Sequence, residues 1–555
     1  MENRTKNVKF SQGVTEPRGN VQLAYTRTVA VSVSPLLLAA CGGGSGTGTI
    51  TASYSGPELT SAYSSSARAN LLEAVSAGNS EYSIPSAPTP YVPRKPEAAA
   101  TPILDNAAGS SYLDGSPRAA VPATTNTVTN GILYPEPYNY AWDKAGDVIT
   151  FSFHEDETAG TWMAEDAYRG NGAYENPKII FSEQQREATR EAIKEFAAFL
   201  DVTFVEVAEN DGTVGDIRFA GSTFDWGYAW ATPIGHTSSN RAGDIWAGAR
   251  MMSDAEWAVG QDYEYAALVH EIGHALGLQH PHDGRVMEAE FDYTKYTIMS
   301  YNHASPRVYR SEDGSEYFYY TTHAMVYDIA ALQHLYGANM AHNSGDTVYR
   351  FDPTQPSVET IWDGGGTDLI DLSNFERGAF LYLEPGAYSS INYQYWGYGP
   401  HLGIAFNCDI ENANGTSGDD VIHGNSLANS LNGGNGDDIL WGFDGDDKFD
   451  FDPELRGGAD AFVGGTGDDS YVLDNRLDAV TEAVGGGVDT VIIDYEGVHI
   501  MASNVEVALS MSERGVNITG NESDNVIVGS DAAEVLTSLA GDDVLMGQGG
   551  ADTFR

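Results

Sequence analysis

The C-terminal part of the chain repeats with a period of nine residues, and this repeat restricts its fold more than any other feature. Residues 433–441 read Gly-Gly-Asn-Gly-Asp-Asp-Ile-Leu-Trp, which matches the pattern G-G-x-G-x-D-x-U-x (U is apolar) at every defined position. Residues 464–472 also match, with Tyr471 at the apolar place. Looser copies begin at Gly415, Gly424, Gly442, Leu455, Gly520, Gly529, Ser538 and Gly547.

This period predicts stacked turns rather than a flexible linker. Glycine permits tight turns, and the apolar eighth residue is expected on a short strand that faces the interior. A glycine- and aspartate-rich linker, or low-complexity drift, would not keep one phase across several copies. We therefore expect an all-β parallel β-roll over residues 343–555.

The aspartates at the sixth place of the repeat are candidate calcium ligands. Inward-pointing backbone carbonyls and carboxylates offer only oxygen, which suits Ca²⁺. The sequence leaves open which residues share an ion. The candidates are Asp420, Asp438, Asp447, Asp460, Asp469, Asp543 and Asp552.

The charge of the chain agrees with bound cations and excludes some partners. In 555 residues, 79 acidic side chains face 29 basic ones, so the formal net charge is −50. Such a chain repels nucleic acid and anionic membranes, and it also repels itself unless cations bind. The two cysteines, Cys41 and Cys408, lie too far apart in sequence to indicate a disulfide framework, and Cys408 is expected to be a buried free thiol.

A second motif, at residues 270–280, indicates a metal centre. His270 and His274 are four residues apart, so on a helix both imidazoles project from one face, with Glu271 beside them. Gly277 permits the backbone to leave the helix, which would bring His280 back as a third nitrogen ligand. Three imidazoles and an open position are typical of catalytic zinc. The alternative is a helix of solvated or core histidines.

The region before residue 129 has no sustained apolar period. Residues 1–41 resemble a signal peptide that ends in a lipobox-like Leu-Ala-Ala-Cys, so Cys41 would carry a lipid anchor; the alternative is a disordered leader with a chance cysteine. Residues 42–128 are rich in Ala, Ser, Thr, Pro and Gly and are interpreted as a disordered tether or pro-segment.

Residues 129–342 are expected to form a mixed α/β domain. A helix is predicted over residues 182–200 with Ser182 as its N-cap, and another over residues 324–336 with Gly337 as its stop. Strands are predicted over residues 147–153, 202–207, 216–219, 228–231 and 243–246.

From about residue 147 to the C-terminus, the chain resembles the serralysin group of metzincin proteases. The similar segments are residues 216–219, 243–246, 270–281, 297–301, 327–339 and 360–372, together with the nonapeptides. The resemblance implies a metzincin-type protease domain in which His270, His274 and His280 bind zinc and Glu271 is the general base. It implies that Met299 forms an apolar floor beneath the metal. It also implies that Tyr301 is a zinc ligand in the resting enzyme and then binds the developing oxyanion.

The chain departs from the family pattern at three points. Members of the group usually lack an N-terminal export signal, whereas a lipobox-like leader is present here. They usually have a capping and export segment after the last repeat, and they generally lack cysteine, whereas this sequence stops at Arg555 and holds Cys408. The export route is therefore expected to differ, or the sequence to be truncated.

The function expected from these features is a secreted zinc-dependent endopeptidase that hydrolyses proteins through a zinc-activated water. It would act as a monomer, at the cell surface if the lipid anchor is real. The alternative is a non-enzymatic, calcium-dependent surface-binding protein or adhesin, which would have no reason to keep Glu271. A repeat-bearing lipase is disfavoured because no G-x-S-x-G elbow is present.

Overall fold

The computed structural model describes residues 118–555 apart from several short stretches. These stretches are residues 121–128, 130, 135–139, 143–147, 156–177, 210–213, 224–227, 235–241, 254–256, 261, 284–286, 303–307, 311–315, 319, 392–401. Residues 1–117, which hold the predicted leader with Cys41 and most of the predicted tether, lie outside the described residues. Residues 118–120, at the end of the predicted tether, form a strand that pairs with residues 140–142. Among the helices that are described, none is long and apolar enough to cross a membrane.

The N-terminal half of the described chain is built around a six-stranded mixed sheet with the order β5-β3-β6-β8-β7, in which β4 also pairs with β6. The strands β3, β5, β6 and β8 run parallel, and β7 and β4 are antiparallel to their neighbours. The strands of this half are β1 (Arg118–Ala120), β2 (Tyr140–Trp142), β3 (Val148–Phe153), β4 (Lys178–Ile179), β5 (Thr203–Glu206), β6 (Ile217–Ser222), β7 (Ala229–Ala231), β8 (Asp244–Ala247), β9 (Val308–Arg310) and β10 (Glu316–Phe318).

The described residues of this half include four helices, and local sequence signals mark several of their ends. They are α1 (Glu183–Phe199), α2 (Ala249–Met252), α3 (Tyr263–Ala275) and α4 (Val326–Tyr336). Ser182 caps α1 through a reciprocal capping box with Gln185, which confirms the predicted start. Asp262 caps α3 by accepting a hydrogen bond from the Tyr265 N–H. Gly337, at φ +83°, ends α4 as predicted.

The C-terminal half is a stack of short, mostly parallel strands, which confirms the predicted β-roll. A ten-stranded sheet forms one face, and five-stranded and four-stranded sheets contain the strands that alternate with it in sequence. The strands are β11 (Val348–Arg350), β12 (Glu359–Ile361), β13 (Leu369–Asp371), β14 (Phe380–Tyr382), β15 (Tyr388–Ser389), β16 (Leu402–Ile404), β17 (Asn412–Asn414), β18 (Val421–His423), β19 (Ser430–Asn432), β20 (Ile439–Asp444), β21 (Lys448–Phe449), β22 (Ala461–Thr466), β23 (Ser470–Leu473), β24 (Ala479–Thr481), β25 (Thr490–Ile493), β26 (Gly497–Ile500), β27 (Val507–Ser510), β28 (Val516–Thr519), β29 (Val526–Val528), β30 (Val535–Thr537), β31 (Val544–Met546) and β32 (Thr553–Phe554).

Two nonapeptides make one full turn of the roll. Val421 pairs with Ile439 and Ser430 pairs with Lys448, so each strand lies beside the strand 18 residues later. The apolar eighth residues face the interior as predicted, because almost all of them are fully buried. They are Ile422, Leu431, Leu440, Phe449, Phe462, Tyr471, Ile527 and Leu536, whereas Leu545 is partly buried and Phe554 is exposed.

The glycines of the repeat serve two different purposes. The second and fourth places, such as Gly434 and Gly436, have φ values of +103° and +128°, which favour glycine. At the first place, glycine is required because there is no space for a side chain. A Cβ atom on Gly442 would overlap the carboxylate of Asp447, five residues later. The sequence argument foresaw the turn torsions but not this close approach.

One hydrophobic core runs from the α/β region into the roll. Tyr327 on α4 packs against Phe406 with ring centroids 5.8 Å apart, and the Trp362 indole N–H donates to the Asn339 carbonyl at 3.1 Å. Cys408 is fully buried and free, as expected, and its sulfur accepts the Asp363 N–H at 3.2 Å. The roll therefore packs directly on the helix that follows the candidate metal motif.

Candidate metal centre

Three histidines of the predicted motif converge on one point. His270 and His274 lie on one face of α3, and the chain then leaves the helix through Gly277, whose φ is +113°. The Nε2 atom of His280 lies 3.3 Å from that of His270 and 3.1 Å from that of His274. Nitrogen ligands about 2.0–2.1 Å from a tetrahedral zinc ion lie roughly 3.3 Å apart, so the spacing fits such an ion.

Hydrogen bonds at the opposite ring nitrogens leave lone pairs at the centre that a cation could satisfy. His270 Nδ1 lies 2.8 Å from the Ile298 carbonyl, and His274 Nδ1 lies 2.8 Å from the Leu278 carbonyl. A carbonyl only accepts, so each Nδ1 carries the proton and each Nε2 presents a lone pair. Burial also lowers the pKa of both residues, that of His270 to about 4, which keeps them neutral. Two facing lone pairs repel unless a cation lies between them.

The third histidine is oriented by a residue that sequence reasoning missed. His280 Nδ1 lies 2.8 Å from a carboxylate oxygen of Asp283, three residues later. This carboxylate fixes the ring so that Nε2 faces the other two histidines. Its position after His280 carried no recognisable signal, because it depends on how the loop turns after the motif.

Replacing Asp283 with asparagine is expected to weaken zinc binding about 10- to 100-fold, because a neutral amide orients and polarises the His280 ring less strongly. Competition with a chromogenic chelator measures this affinity. Asp292→Asn is the matched control, because within the described chain Asp292 accepts hydrogen bonds from Ser300 and Asn302 and contacts none of the three histidines. Equal zinc affinity in the Asp283 variant and the wild type would contradict the orienting role.

Met299 lies under this centre, where the resemblance places an apolar floor. It is fully buried, and a Cβ atom on Gly273 would lie 2.8 Å from its sulfur. The buried carboxylate of Asp328 on α4 holds this turn, because it accepts hydrogen bonds from the Thr297 hydroxyl at 2.5 Å and the Ile298 N–H at 2.7 Å. Asp328 therefore positions the carbonyl that orients His270, a link across 30 residues that no local pattern revealed.

Glu271 lies beside the three histidines as predicted. Only 7% of the residue is exposed, and its Oε2 atom has no hydrogen-bond partner within the described part of the chain. Burial raises the pKa of Glu271 to about 8, and the N–H of Ala231 on β7 opposes this shift. A bound cation would lower that pKa again. The carboxylate is thus positioned for proton transfer rather than for an ion pair.

Tyr301 also reaches the centre. Its hydroxyl lies 2.7 Å from His280 Nε2, and its ring is nearly parallel to that of His270, with centroids 5.7 Å apart. The residue is 58% exposed, so it can move without disturbing the core. Burial of the hydroxyl raises the pKa of Tyr301 to about 12, which leaves the proton on the phenol.

A cleft opens from the histidines toward solvent. His270, Glu271 and Tyr301 line one part of it, and the aromatic rings of Tyr228, Tyr263 and Tyr320 line another. Tyr263 contacts both other rings, with centroids 4.6 and 5.2 Å away. The edge strand β7 borders the cleft through Ala229. Among the described strands, β7 pairs only with β8.

The sixth-place residues of the repeat form two ladders, one on each side of the roll. In one ladder, Asp420 N–H donates to Asp438 at 2.7 Å and Asp438 N–H donates to Asp460 at 2.8 Å. In the other, Asp447 N–H donates to Asp469 at 2.8 Å. Asp543 and Asp552 lie in the last turns and are only partly buried. The ladders continue through Asp478 and Asp489, which the repeat pattern did not identify.

Both ladders contain buried carboxylate oxygens that have no hydrogen-bond partner among the described residues. Asp438, Asp447 and Asp469 are at most 1% exposed, yet their Oδ2 atoms have no partner among the described residues. Burial, followed by repulsion from neighbouring acids, raises the pKa of Asp438 to about 10 and that of Asp447 to about 8. Buried anionic oxygens without a donor fit a hard cation such as Ca²⁺.

Two turns replace this arrangement with amides. Where the sixth residue is Asn429, its Nδ2 donates to the Glu411 carbonyl at 2.9 Å and to the Asn425 side chain at 3.0 Å. Asn525 and Asn521 repeat the same pair. An amide N–H₂ group thus satisfies oxygens that a cation would otherwise have to satisfy.

Comparisons with known proteins agree with this arrangement. A family model described as Matrixin matches residues 169–303, and one described as Peptidase M10 serralysin C terminal matches residues 329–555. Serralysin of Proteus mirabilis is 29% identical over 323 residues, which cover 51% of this chain and 60% of that protein. Metalloprotease AprA of Pseudomonas entomophila is 32% identical over 287 residues, 47% of this chain and 57% of that protein. For Serralysin A of Dickeya chrysanthemi the identity is 30% over 324 residues, and the coverage is 53% and 66%. The chain therefore spans somewhat under two thirds of the length of these relatives.

Proposed function

Because this chain belongs to the serralysin-like metzincin peptidases of family M10, we propose that it is a secreted zinc-dependent endopeptidase whose repeat domain is stabilised by calcium. The observation that supports this most directly is the convergence of three imidazole Nε2 atoms next to the unpartnered carboxylate oxygen of Glu271. Residues 129–342 would form the protease domain and residues 343–555 the repeat domain. Extracellular location and a monomeric state belong to the same proposal.

His270, His274 and His280 would hold the zinc ion. When bound, zinc supplies a Lewis acid that polarises the peptide carbonyl and lowers the pKa of water. Glu271 accepts the proton of the attacking water molecule at its free Oε2 atom and then delivers it to the nitrogen of the leaving amine. Its burial keeps competing solvent away from that oxygen. Replacement of Glu271 is treated first in the Discussion.

Tyr301 is proposed as the donor to the oxyanion that forms on the substrate carbonyl, after it leaves the position next to His280. Tyr301→Phe is expected to lower kcat on the order of 10²-fold with little change in KM, because the hydroxyl acts mainly in the transition state. Steady-state kinetics on a fluorogenic peptide measures both constants. A kcat equal to that of the wild type, or a change confined to KM, would remove Tyr301 from the mechanism.

The substrate is proposed to be an extended protein segment that adds to the free edge of β7. An extended peptide pairs readily with an exposed sheet edge, and this edge runs beside Glu271. The aromatic wall of Tyr228, Tyr263 and Tyr320 would contact an adjacent side chain of the substrate. Folded protein would therefore be cut in loops and denatured protein throughout.

Casein hydrolysis tests the proposed function. The full chain should cleave casein, lose activity with a zinc-selective chelator and regain it when zinc is restored. Calcium should be present throughout, so that unfolding of the repeats does not confuse the result. Absence of hydrolysis by folded protein with one zinc ion bound would favour the surface-binding alternative instead.

A further inference from the structure

A cluster of three acids lies where the nonapeptide register breaks. Asp469 is the sixth residue of the last repeat before the break, Glu482 directly follows β24, and Asp489 directly precedes β25. One carboxylate oxygen of each lies within 4.8 Å of the others. This is the one place in the described part of the chain where three carboxylates come so close together.

Hydrogen bonds account for only part of this cluster. One oxygen of Asp469 accepts the Asp447 N–H, and one oxygen of Asp489 accepts the Asp469 N–H at 3.0 Å. The Oδ2 atoms of both residues have no partner in the described chain, although Asp469 is 1% exposed and Asp489 is not exposed at all. Two buried anionic oxygens therefore point into the same space without a donor.

Glu482 completes the cluster and is held in place by a tyrosine. The Tyr471 hydroxyl donates to Glu482 Oε1, and the Ala483 and Gly465 N–H groups approach Oε2 at 3.3 and 3.4 Å. Within the described residues, no lysine or arginine forms a salt bridge with any of the three acids. Gly464 borders the site, because a Cβ atom there would overlap the Tyr471 hydroxyl and the Asp469 carboxylate.

We propose that Asp469, Glu482 and Asp489 bind one calcium ion where the aspartate ladder leaves the nonapeptides, with Glu482 as a ligand that the repeat does not supply. The ligand set consists only of oxygen, carries up to three negative charges and is irregular, which suits Ca²⁺ better than the strictly octahedral Mg²⁺. The ion would connect β23 to the loop that follows β24, where the spacing along this ladder changes from 22 residues to 20. It would thereby add to the turn-to-turn contacts that β23 and β25 make there. This inference rests on the proposed calcium binding by the repeats.

Counting bound calcium in variants of the full chain tests the site. Metal-stripped protein is dialysed against labelled calcium at pH 8 in the presence of zinc. Glu482→Gln should bind one ion fewer per chain than the wild type, because glutamine can still accept from Tyr471 but has no charge. Glu496→Gln is the matched control, because Glu496 is an exposed acid that pairs with Arg514, and its count should equal that of the wild type.

The outcomes separate this site from the repeat sites. Asp438→Asn should also lower the calcium count, because Asp438 is a proposed calcium ligand of the repeats and lies in the other ladder. If Asp438→Asn lowers it and Glu482→Gln does not, this inference is overturned and the repeat sites stand. If the wild type binds no calcium, the proposed role of the repeats fails as well. If Glu482→Gln does not fold, crystals of the wild type soaked in terbium provide the test. An anomalous peak located between Asp469 and Asp489 would support the site, and the absence of a peak there would overturn it.

Discussion

Glu271→Gln is expected to lower kcat for peptide hydrolysis by about 10²- to 10⁴-fold while the protein keeps the proposed zinc ion. The size of the loss follows from the usual contribution of a positioned general acid–base group. Glutamine fills the same space but accepts no proton from the attacking water molecule, and it has none to return to the leaving nitrogen. Zinc is retained because the three imidazoles and their Nδ1 partners do not involve Glu271. Kinetics on a fluorogenic peptide and metal analysis of the same sample measure both quantities.

Glu264→Gln is the matched control for this substitution. Glu264 lies on the same helix, two turns before Glu271 and outside the set of residues that line the cleft. Its removal should change kcat by less than a factor of about two. A Glu271→Gln protein with full activity would refute the proposed mechanism. A loss of zinc along with activity would instead assign Glu271 a role in metal binding.

Removal of the proposed calcium ions is expected to destabilise the repeat domain far more at pH 8 than at pH 5. Without a cation, burial raises the pKa of Asp420, Asp460 and Asp469 to about 7, and that of Asp447 to about 8. The ordinary value is about 4. Folded repeats therefore hold protons that the unfolded chain releases. Each such group weakens folding by about 1.4 kcal/mol per pH unit between these two values.

The sign of this effect distinguishes the repeats from ordinary acidic surfaces. Stability from a raised carboxyl pKa is complete below about pH 4 and is lost as the pH rises through about 7 to 8. In a chelator, the unfolding temperature of the roll should fall by at least about 10 °C between pH 5 and pH 8. Saturating calcium should restore it most strongly at pH 8, because the ion binds the deprotonated carboxylates.

Circular dichroism of the full chain, heated in chelator or in calcium at both pH values, measures this difference. The exposed pair Arg514 and Glu496 offers a control, because neutralising it should leave the pH dependence unchanged. An unfolding temperature in chelator that is higher at pH 8 than at pH 5 would contradict the assignment of these aspartates. Equal stabilisation by calcium at the two pH values would do the same.

Local spacing in the sequence predicted the main parts of this molecule. The interval of four residues between His270 and His274 is sufficient to predict that both imidazoles lie on one face, because a helix turns every 3.6 residues. The nine-residue period is sufficient to predict the β-roll. Two units close one turn of the roll, so residues 18 apart in sequence become neighbours. Ser182 and Gly337 fixed helix ends through hydrogen bonds and torsions that are local to the chain.

Contacts between distant segments could not be predicted in this way. Asp328 acts on a turn 30 residues before it, and Glu482 meets Asp469 only because an irregular loop folds back on the roll. Nothing in the residues around either acid reveals its partner. The nine-residue register breaks after residue 472. The pattern that located the other acids therefore gave no position for Glu482.

Anomalous scattering measured on both sides of the zinc absorption edge, with crystals of the purified chain, tests the central claim most directly. The account predicts one zinc peak, about 2.0–2.1 Å from Nε2 of His270, His274 and His280. A peak held by other residues, or well-ordered histidines with no zinc between them in zinc-supplemented crystals, would contradict it.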